Sequence, residues 1–158
     1  MQKKGKADLT TQNTEGVPAN DFNLVATGFF NKKFPKATDV FWDSLDNGFM
    51  ATFFDETHDK KAFFDVRGQF EYATTVVELE ELPKTIADFL KRKYPKAEIA
   101  IAQIVEDDHE RAFHIEIENF MDYISLEFDK SGQLRKETKH PLSNEELQRE
   151  EEEGVDNQ

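Results

Sequence analysis

Cysteine is absent from this chain of 158 residues. The chain therefore forms no disulfide and has no thiolate nucleophile or thiolate metal ligand. Glycine is scarce, with seven residues, and none of them belongs to a Gly-rich loop of the kind that cradles phosphate groups. No apolar run is long enough to span a membrane, so we expect no membrane insertion.

Basic residues are also few, with 20 Lys and Arg against 33 Asp and Glu, for a formal net charge of -13. This balance argues against nucleic acid as a partner, because nucleic-acid binding needs clustered basic side chains that replace counterions. Phenylalanine, in contrast, is abundant, with 15 residues beside one Trp and three Tyr. A chain so rich in Phe is expected to fold around aromatic anchors.

The two ends differ in composition from the middle of the chain. Residues 1–20 have no periodic apolar pattern and are predicted to be a flexible leader. Residues 141–158 form an acidic tail, in which Ser143 and Glu146 have the spacing of a capping box. No signal peptide is visible, but removal of one before Gln2 would leave the same start. A cytoplasmic and an exported protein therefore both stay open.

The middle of the chain contains an internal repeat. The segment Phe29–Ala37 resembles Phe89–Ala97 at an offset of 60 residues, and Phe64–Phe70 resembles Phe128–Leu134 at an offset of 64. Two matches in the same order predict repeat 1 at residues 21–79 and repeat 2 at residues 80–140.

Each repeat is predicted to begin with a helix. Asn20 or Asp21 is the expected N-cap of the first, Pro83 suits the first position of the second, and Pro35 and Pro95 end them. Four strands are predicted after each helix: Asp39–Ser44, Gly48–Asp55, Lys60–Val66, Gln69–Val77, then Glu98–Glu106, Arg111–Glu118, Met121–Phe128 and Gln133–Thr138. The predicted class is α+β: tandem α-β-β-β-β repeats forming an antiparallel sheet with helices on one face.

Both repeats share a helix that ends in Phe/Tyr-Pro-Lys-Ala, followed by strands and by Phe-Asp-x-x-Gly-Gln. In this pattern the chain resembles the PepSY-like proteins of Bacteroidetes, which are compared with β-lactamase inhibitory protein for their tandem helix-plus-sheet fold. The resemblance covers about residues 21–139. It implies a periplasmic or secreted protein made with a signal peptide, without established enzyme activity and with no catalytic residues to transfer.

Strand alternation predicts which side chains face away from the helices. In repeat 2, Phe113, Ile115 and Ile117 alternate with His114, Glu116 and Glu118. Moving this parity to repeat 1 places Phe49, Ala51 and Phe53 inward. Met50, Phe54 and Phe63 then face outward, and we assign Trp42, the only tryptophan, to the same side. These four side chains form a predicted binding surface for a protein or peptide partner.

Three alternatives would bury these side chains instead. A β-bulge would reverse the parity and return them to the core. The leader or the acidic tail could cover the surface. Contact with a second copy of the chain would make it the interface of a homodimer.

No constellation in the sequence points to catalysis, and no cofactor is implied. The four Ser residues lack the Gly-flanked elbow of a nucleophile, and no two His have the helical spacing of a zinc site. His58 and His109 lie in acidic hairpin loops, and Asp65 and Asp129 begin Asp-x-x-Gly turns that lack the ligand pattern of a calcium loop. The sequence thus favours a non-catalytic, exported, inhibitor-like binding module. The alternative is a domain that senses a small ligand or a cation such as calcium.

Overall fold

The computed structural model describes residues 24–142. The predicted leader, the expected N-caps Asn20 and Asp21, and the capping box of the acidic tail lie outside the described residues. The eight strands are assigned to one antiparallel sheet in chain order. This confirms the predicted α+β class. The elements are α1 (Leu24–Lys33), β1 (Ala37–Leu45), β2 (Gly48–Asp55), β3 (His58–Phe64), β4 (Phe70–Val76), α2 (Lys84–Lys93), β5 (Glu98–Glu106), β6 (Arg111–Asn119), β7 (Asp122–Phe128) and β8 (Leu134–Pro141), with a 3-10 turn at Leu79–Glu81.

The chain divides into two compact units. Within the described residues, unit 1 comprises 24–77 and 104–111, and unit 2 comprises 78–103 and 112–142. Unit 1 contains α1 and β1 to β4, while unit 2 contains α2 and most of the last four strands. The α-β-β-β-β order predicted for each repeat is therefore present.

The core of unit 1 is built from aromatic rings. Phe30 of α1 meets Trp42 with ring centroids 5.5 Å apart and Phe53 at 4.8 Å, in both cases edge to face. Trp42 also packs on Phe64 at 5.4 Å. Ala26, Ala51 and Ala62 fill the spaces between the rings. These contacts anchor α1 on the inner face of its strands, since edge-to-face pairs are favourable beyond the area they bury.

In unit 2, α2 packs through Ile86 and Leu90, which are both buried. Phe89 contacts Phe128 of β7 edge to face, with centroids 5.5 Å apart. Pro83 lies at the N-cap, one residue before the predicted position, because its ψ of 139° is extended rather than helical. Helix α2 ends at Lys93 before the Tyr94-Pro95 step, as the proline predicts.

The Asp-x-x-Gly segments form matching turns. Asp65 Oδ1 accepts hydrogen bonds from the backbone N–H groups of Arg67 and Gln69, each at 2.9 Å. Asp129 Oδ1 accepts the equivalent bonds from Ser131 and Gln133. Both carboxylates therefore hold the backbone of a turn.

A β-bulge interrupts the pairing of β1 with β2. Thr38 pairs with Phe54 and Phe41 pairs with Thr52, so β1 has one more residue than β2 in this stretch. Asp39 has a φ of 54°, the left-handed conformation common at bulges. Beyond the bulge, Trp42 pairs with Ala51, and both side chains are buried.

Candidate functional site

The outer face of unit 1 carries six apolar or aromatic side chains, which we call the aromatic face. Thr52 and Phe54 alternate with the buried Ala51 and Phe53, so they face away from the core. Residues that pair with such outward residues in the neighbouring strands lie on the same side of the sheet. The exposed fractions are 51% for Phe41, 36% for Phe54, 36% for Tyr72 and 41% for Val76. The full set is Phe41, Met50, Phe54, Phe63, Tyr72 and Val76.

One cross-strand row lies at the centre of the aromatic face. Met50 of β2 pairs with Phe63 of β3, and Phe63 pairs with Tyr72 of β4. The rings of Phe63 and Tyr72 stack with centroids 4.5 Å apart and an angle of 18° between their planes. Burial raises the pKa of Tyr72, and the charge of Glu71 raises it further. The row is therefore a preformed apolar surface with one neutral hydroxyl.

Three of the four residues predicted for this surface lie on it. Met50 and Phe63 are half-buried and Phe54 is exposed. The parity transferred from repeat 2 is thus confirmed for β2, and the bulge in β1 does not return these side chains to the core.

The assignment of Trp42 to this surface is wrong. Its indole is 0% exposed, because its pairing with Ala51 directs it to the inner face, where Phe30 and Phe64 enclose it. Phe41 takes the outward position next to it.

Sequence reasoning missed Phe41, Tyr72 and Val76. The signal for Tyr72 and Val76 was available, because the offset of 64 residues aligns them with Lys136 and His140. For Phe41 there was no such signal, because the bulge that fixes the parity of β1 has no mark in the local sequence.

The equivalent face of unit 2 is polar. The row that corresponds to Met50–Phe63–Tyr72 is His114–Glu127–Lys136, with the same cross-strand pairing. Beside it, Glu116 accepts hydrogen bonds from the hydroxyl of Tyr123 at 2.5 Å and interacts with His114 Nε2 at 2.8 Å. Burial raises the pKa of Glu116, but the hydrogen bonds from Tyr123 and His114 outweigh it and leave this pKa lowered. This polar network stabilises the carboxylate.

The acidic loop of residues 106–111 uses its carboxylates within the protein. Asp107 Oδ1 accepts hydrogen bonds from the backbone of His109 and Glu110, each at 2.7 Å. Glu106 pairs with Arg111 at 2.8 Å, and Asp108 pairs with Lys33 at 3.2 Å. Within residues 24–142, no group of three or more His, Cys, Asp or Glu is placed to hold a metal ion. The cation-sensing alternative therefore gains no ligand set from this part of the chain.

Several solved structures share this fold. A BLIP-like protein from Bacteroides fragilis has a TM-score of 0.68 at 18% identity, covering 87% of this chain and 95% of its own. A DUF2874 family protein from Bacteroides ovatus has a TM-score of 0.66 at 24% identity, covering 73% and 85%. A protein from Bacteroides eggerthii, described provisionally as periplasmic, has a TM-score of 0.68 at 13% identity, covering 78% and 92%.

These likenesses show the fold. The predicted resemblance to the β-lactamase inhibitory protein fold is confirmed, whereas the PepSY-like name stays a prediction. No protein-family model and no curated protein matches the sequence. Neither helix of the described region is both long and apolar enough to cross a membrane.

Proposed function

We propose that the chain is a non-catalytic binding module that uses the aromatic face of unit 1 to hold a protein or peptide partner. The observation that carries the proposal is the contrast between two equivalent rows. Unit 1 has Met50, Phe63 and Tyr72 where unit 2 has His114, Glu127 and Lys136. Since both rows have the same backbone pairing, the fold itself does not require aromatic side chains on this face.

The chemistry of the aromatic face suits association. Aromatic side chains and Met are enriched at the centres of protein interfaces, because they bury much area with few polar groups to desolvate. The six side chains that define the aromatic face include no carboxylate, imidazole or amine, and the raised pKa of the Tyr72 hydroxyl keeps it protonated. This supports a binding role over an enzymatic one.

The surroundings suggest the chemistry of the partner. Asp43 pairs with Met50 and Asp59 pairs with Phe54, so two carboxylates share this side of the sheet with Lys61, which pairs with Thr52. The net charge of the chain is -13. Charge complementarity then favours an apolar segment of the partner that is bordered by basic residues.

We place the module outside the cytoplasm. The support is the fold shared with a Bacteroides eggerthii protein that is provisionally described as periplasmic. The fold shared with a BLIP-like protein supports an inhibitor-like role within the same proposal. Fractionation of the native host, with an antibody against the chain, tests the compartment.

The binding role is tested with a double variant and its matched control. Phe54→Ser with Phe63→Ser removes two rings from the aromatic face, and Glu118→Ser with Glu127→Ser changes the equivalent positions of unit 2. The tagged proteins are incubated with periplasmic extract, captured proteins are identified by mass spectrometry, and each candidate is purified and titrated by calorimetry.

We expect a partner that binds the wild type and the control variant, and that binds the Phe54/Phe63 variant at least tenfold more weakly, as expected for loss of interface anchors. Equal affinity for all three proteins would overturn the assignment of this face. Analytical ultracentrifugation of the purified chain decides the homodimer alternative: a dimer that dissociates only in the Phe54/Phe63 variant would make a second copy the occupant.

A further inference from the structure

A cleft of about 300 Å³ opens within unit 2 between α2 and the turn that precedes β8. The ring of Phe89 and the side chain of Leu134 are its apolar lining, and its polar lining residues are Thr85, Asp88, Arg92 and Gln133. At one end Gly132 approaches Thr85 so closely that an added Cβ would lie 2.0 Å from the Thr85 hydroxyl oxygen. This volume is near the lower end of the range of about 300–1,000 Å³ for small-molecule sites.

The internal repeat explains why the cleft exists. Phe89 aligns with Phe29 in repeat 1, and Leu134 aligns with Phe70. In unit 1 these two positions hold a ring stack, with the centroids of Phe29 and Phe70 5.8 Å apart and 11° between the planes. In unit 2 the smaller Leu134 leaves the corresponding space open.

The floor of the cleft keeps the geometry that supports a stacked ring in repeat 1. Phe29 contacts Phe64 edge to face at 6.4 Å, and Phe89 contacts Phe128 edge to face at 5.5 Å. Because Phe128 aligns with Phe64, the two floor rings are held by equivalent partners. Phe89 is therefore held in the same way as Phe29, which carries the stacked ring of Phe70 in repeat 1.

The charges at the cleft favour an anion beside the ring of Phe89. Arg92 and Asp88, one turn apart on α2, both line the cleft. The Asp88 carboxylate pairs with Lys84 at 3.3 Å, whereas the ion pairs of the described region include no partner for Arg92. A guanidinium binds a carboxylate through two parallel hydrogen bonds, which fixes both the position and the orientation of the anion.

We propose that this cleft binds a small aromatic carboxylate, with its ring on Phe89 in the place that Phe70 takes in repeat 1 and its carboxylate on Arg92. The site is distinct from the aromatic face of unit 1 and does not depend on the function proposed for that face. The ligand is either a free aromatic acid or the C-terminal aromatic residue of a peptide, since both present the same ring and carboxylate.

The proposal is tested on the isotope-labelled full chain by following backbone amide resonances during titration. The probes are 3-phenylpropanoate, for a free acid, and N-acetylphenylalanine, for a peptide C-terminus. Two further probes each lack one feature: N-acetylphenylalaninamide has no carboxylate, and 3-cyclohexylpropanoate has no aromatic ring. The cleft variants are Leu134→Phe, which restores the ring of repeat 1, and Arg92→Gln. Lys32→Gln, at the position of repeat 1 that aligns with Arg92, is the matched control.

We expect shifts confined to the amides that line the cleft, at residues 85–92 and 132–134. Arg92→Gln should weaken binding about tenfold, because a charge-assisted hydrogen bond is lost, while Lys32→Gln leaves it unchanged. Leu134→Phe should abolish binding with an intact spectrum, and the probes that lack the ring or the carboxylate should bind at least tenfold more weakly. The tighter of the two complete probes identifies the source of the ligand.

Absence of shifts at millimolar concentrations of both complete probes would overturn the proposal. So would equal binding by wild type and Arg92→Gln, a comparison that stays informative even if Leu134→Phe does not fold.

Discussion

Phe63 and Tyr72 stack face to face across β3 and β4, with ring centroids 4.5 Å apart, on the side of the sheet opposite the core. The next residue of β3, Phe64, points to the other side and is 1% exposed. Two neighbouring phenylalanines thus have different roles, because adjacent side chains of a strand face opposite ways.

The first prediction concerns the stability cost of these two residues. Phe63→Ser should lower the free energy of unfolding by about 1 kcal/mol, since it removes a half-buried ring and its cross-strand contacts with Met50 and Tyr72. Phe64→Ala should cost about 3–5 kcal/mol, because it empties a space in the aromatic core. Urea denaturation followed by circular dichroism measures both. Equal costs would mean that Phe63 serves the core and not a binding face.

The second prediction concerns Trp42, which is enclosed in unit 1. As the only tryptophan of the chain, it should give blue-shifted fluorescence that acrylamide quenches poorly and that moves to the red on unfolding. The matched control is the double variant Phe41→Trp with Trp42→Phe, which moves the reporter to the neighbouring outward position. Its emission should be red-shifted and readily quenched already in the folded protein. Similar quenching of the two proteins would contradict the parity described for β1.

The third prediction concerns Gly132, whose φ is 84° and whose missing Cβ makes room for Thr85. Gly132→Ala should destabilise the fold by about 1–3 kcal/mol through backbone strain and steric contact. Adding Thr85→Ala should recover part of this loss, because it removes the contact but not the strain.

Gly28, in the middle of α1, is the matched control for this position. A Cβ added there meets nothing within 4 Å. Gly28→Ala should therefore stabilise the protein by about 0.5–1 kcal/mol, because alanine loses less backbone entropy in a helix. Thermal melting distinguishes these outcomes, and a neutral Gly132→Ala would contradict the tight approach of the turn to α2.

The fourth prediction concerns the loss of stability at acid pH. Burial raises the pKa of Glu137, but the hydrogen bonds from Lys93 and Tyr94 and the charges of Lys93 and Lys139 outweigh it, so this pKa lies below its ordinary value of 4.5. A lowered folded-state pKa stabilises the protein fully above 4.5, and this contribution is lost as the pH falls through the folded-state value.

Glu137→Gln should therefore lower the free energy of unfolding near neutral pH and flatten its decline below pH 4.5. Glu127→Gln, at an exposed carboxylate on the outer face of β7, is the control for removal of one negative charge. Denaturation curves at a series of pH values provide the measurement. If the free energy of unfolding of Glu137→Gln declines with pH as steeply as that of the wild type, this carboxylate does not cause the loss of stability at acid pH.

Much of the fold was predictable because its signals are local. The helices end before Phe34-Pro35 and Tyr94-Pro95 since proline cannot continue a helix. The turn at Asp65 repeats at Asp129 since the same short segment forms the same hydrogen bonds. Alternation along β6 fixed the inward side chains there, and the offset of the repeat extended this result to β2.

The candidate sites were predictable only in part. Met50, Phe54 and Phe63 followed from alternation, but Phe41 and Trp42 exchanged roles because a bulge at Asp39 shifts β1 by one residue. A bulge depends on how one strand pairs with the next, and the strand alone does not reveal it. The cleft of unit 2 was not foreseen, because its volume depends on how side chains of α2 pack against a turn more than 40 residues away.

The amino-acid sequence by itself determined the tandem α-β-β-β-β order, the ends of the helices and the acidic net charge, because these depend on composition, period and local breakers. Only the tertiary structure decided which of the many aromatic rings form the core, which form an exposed face, and where a missing ring leaves a cleft. These outcomes depend on strand register and on the volume between packed elements, which arise only when distant segments of the chain meet.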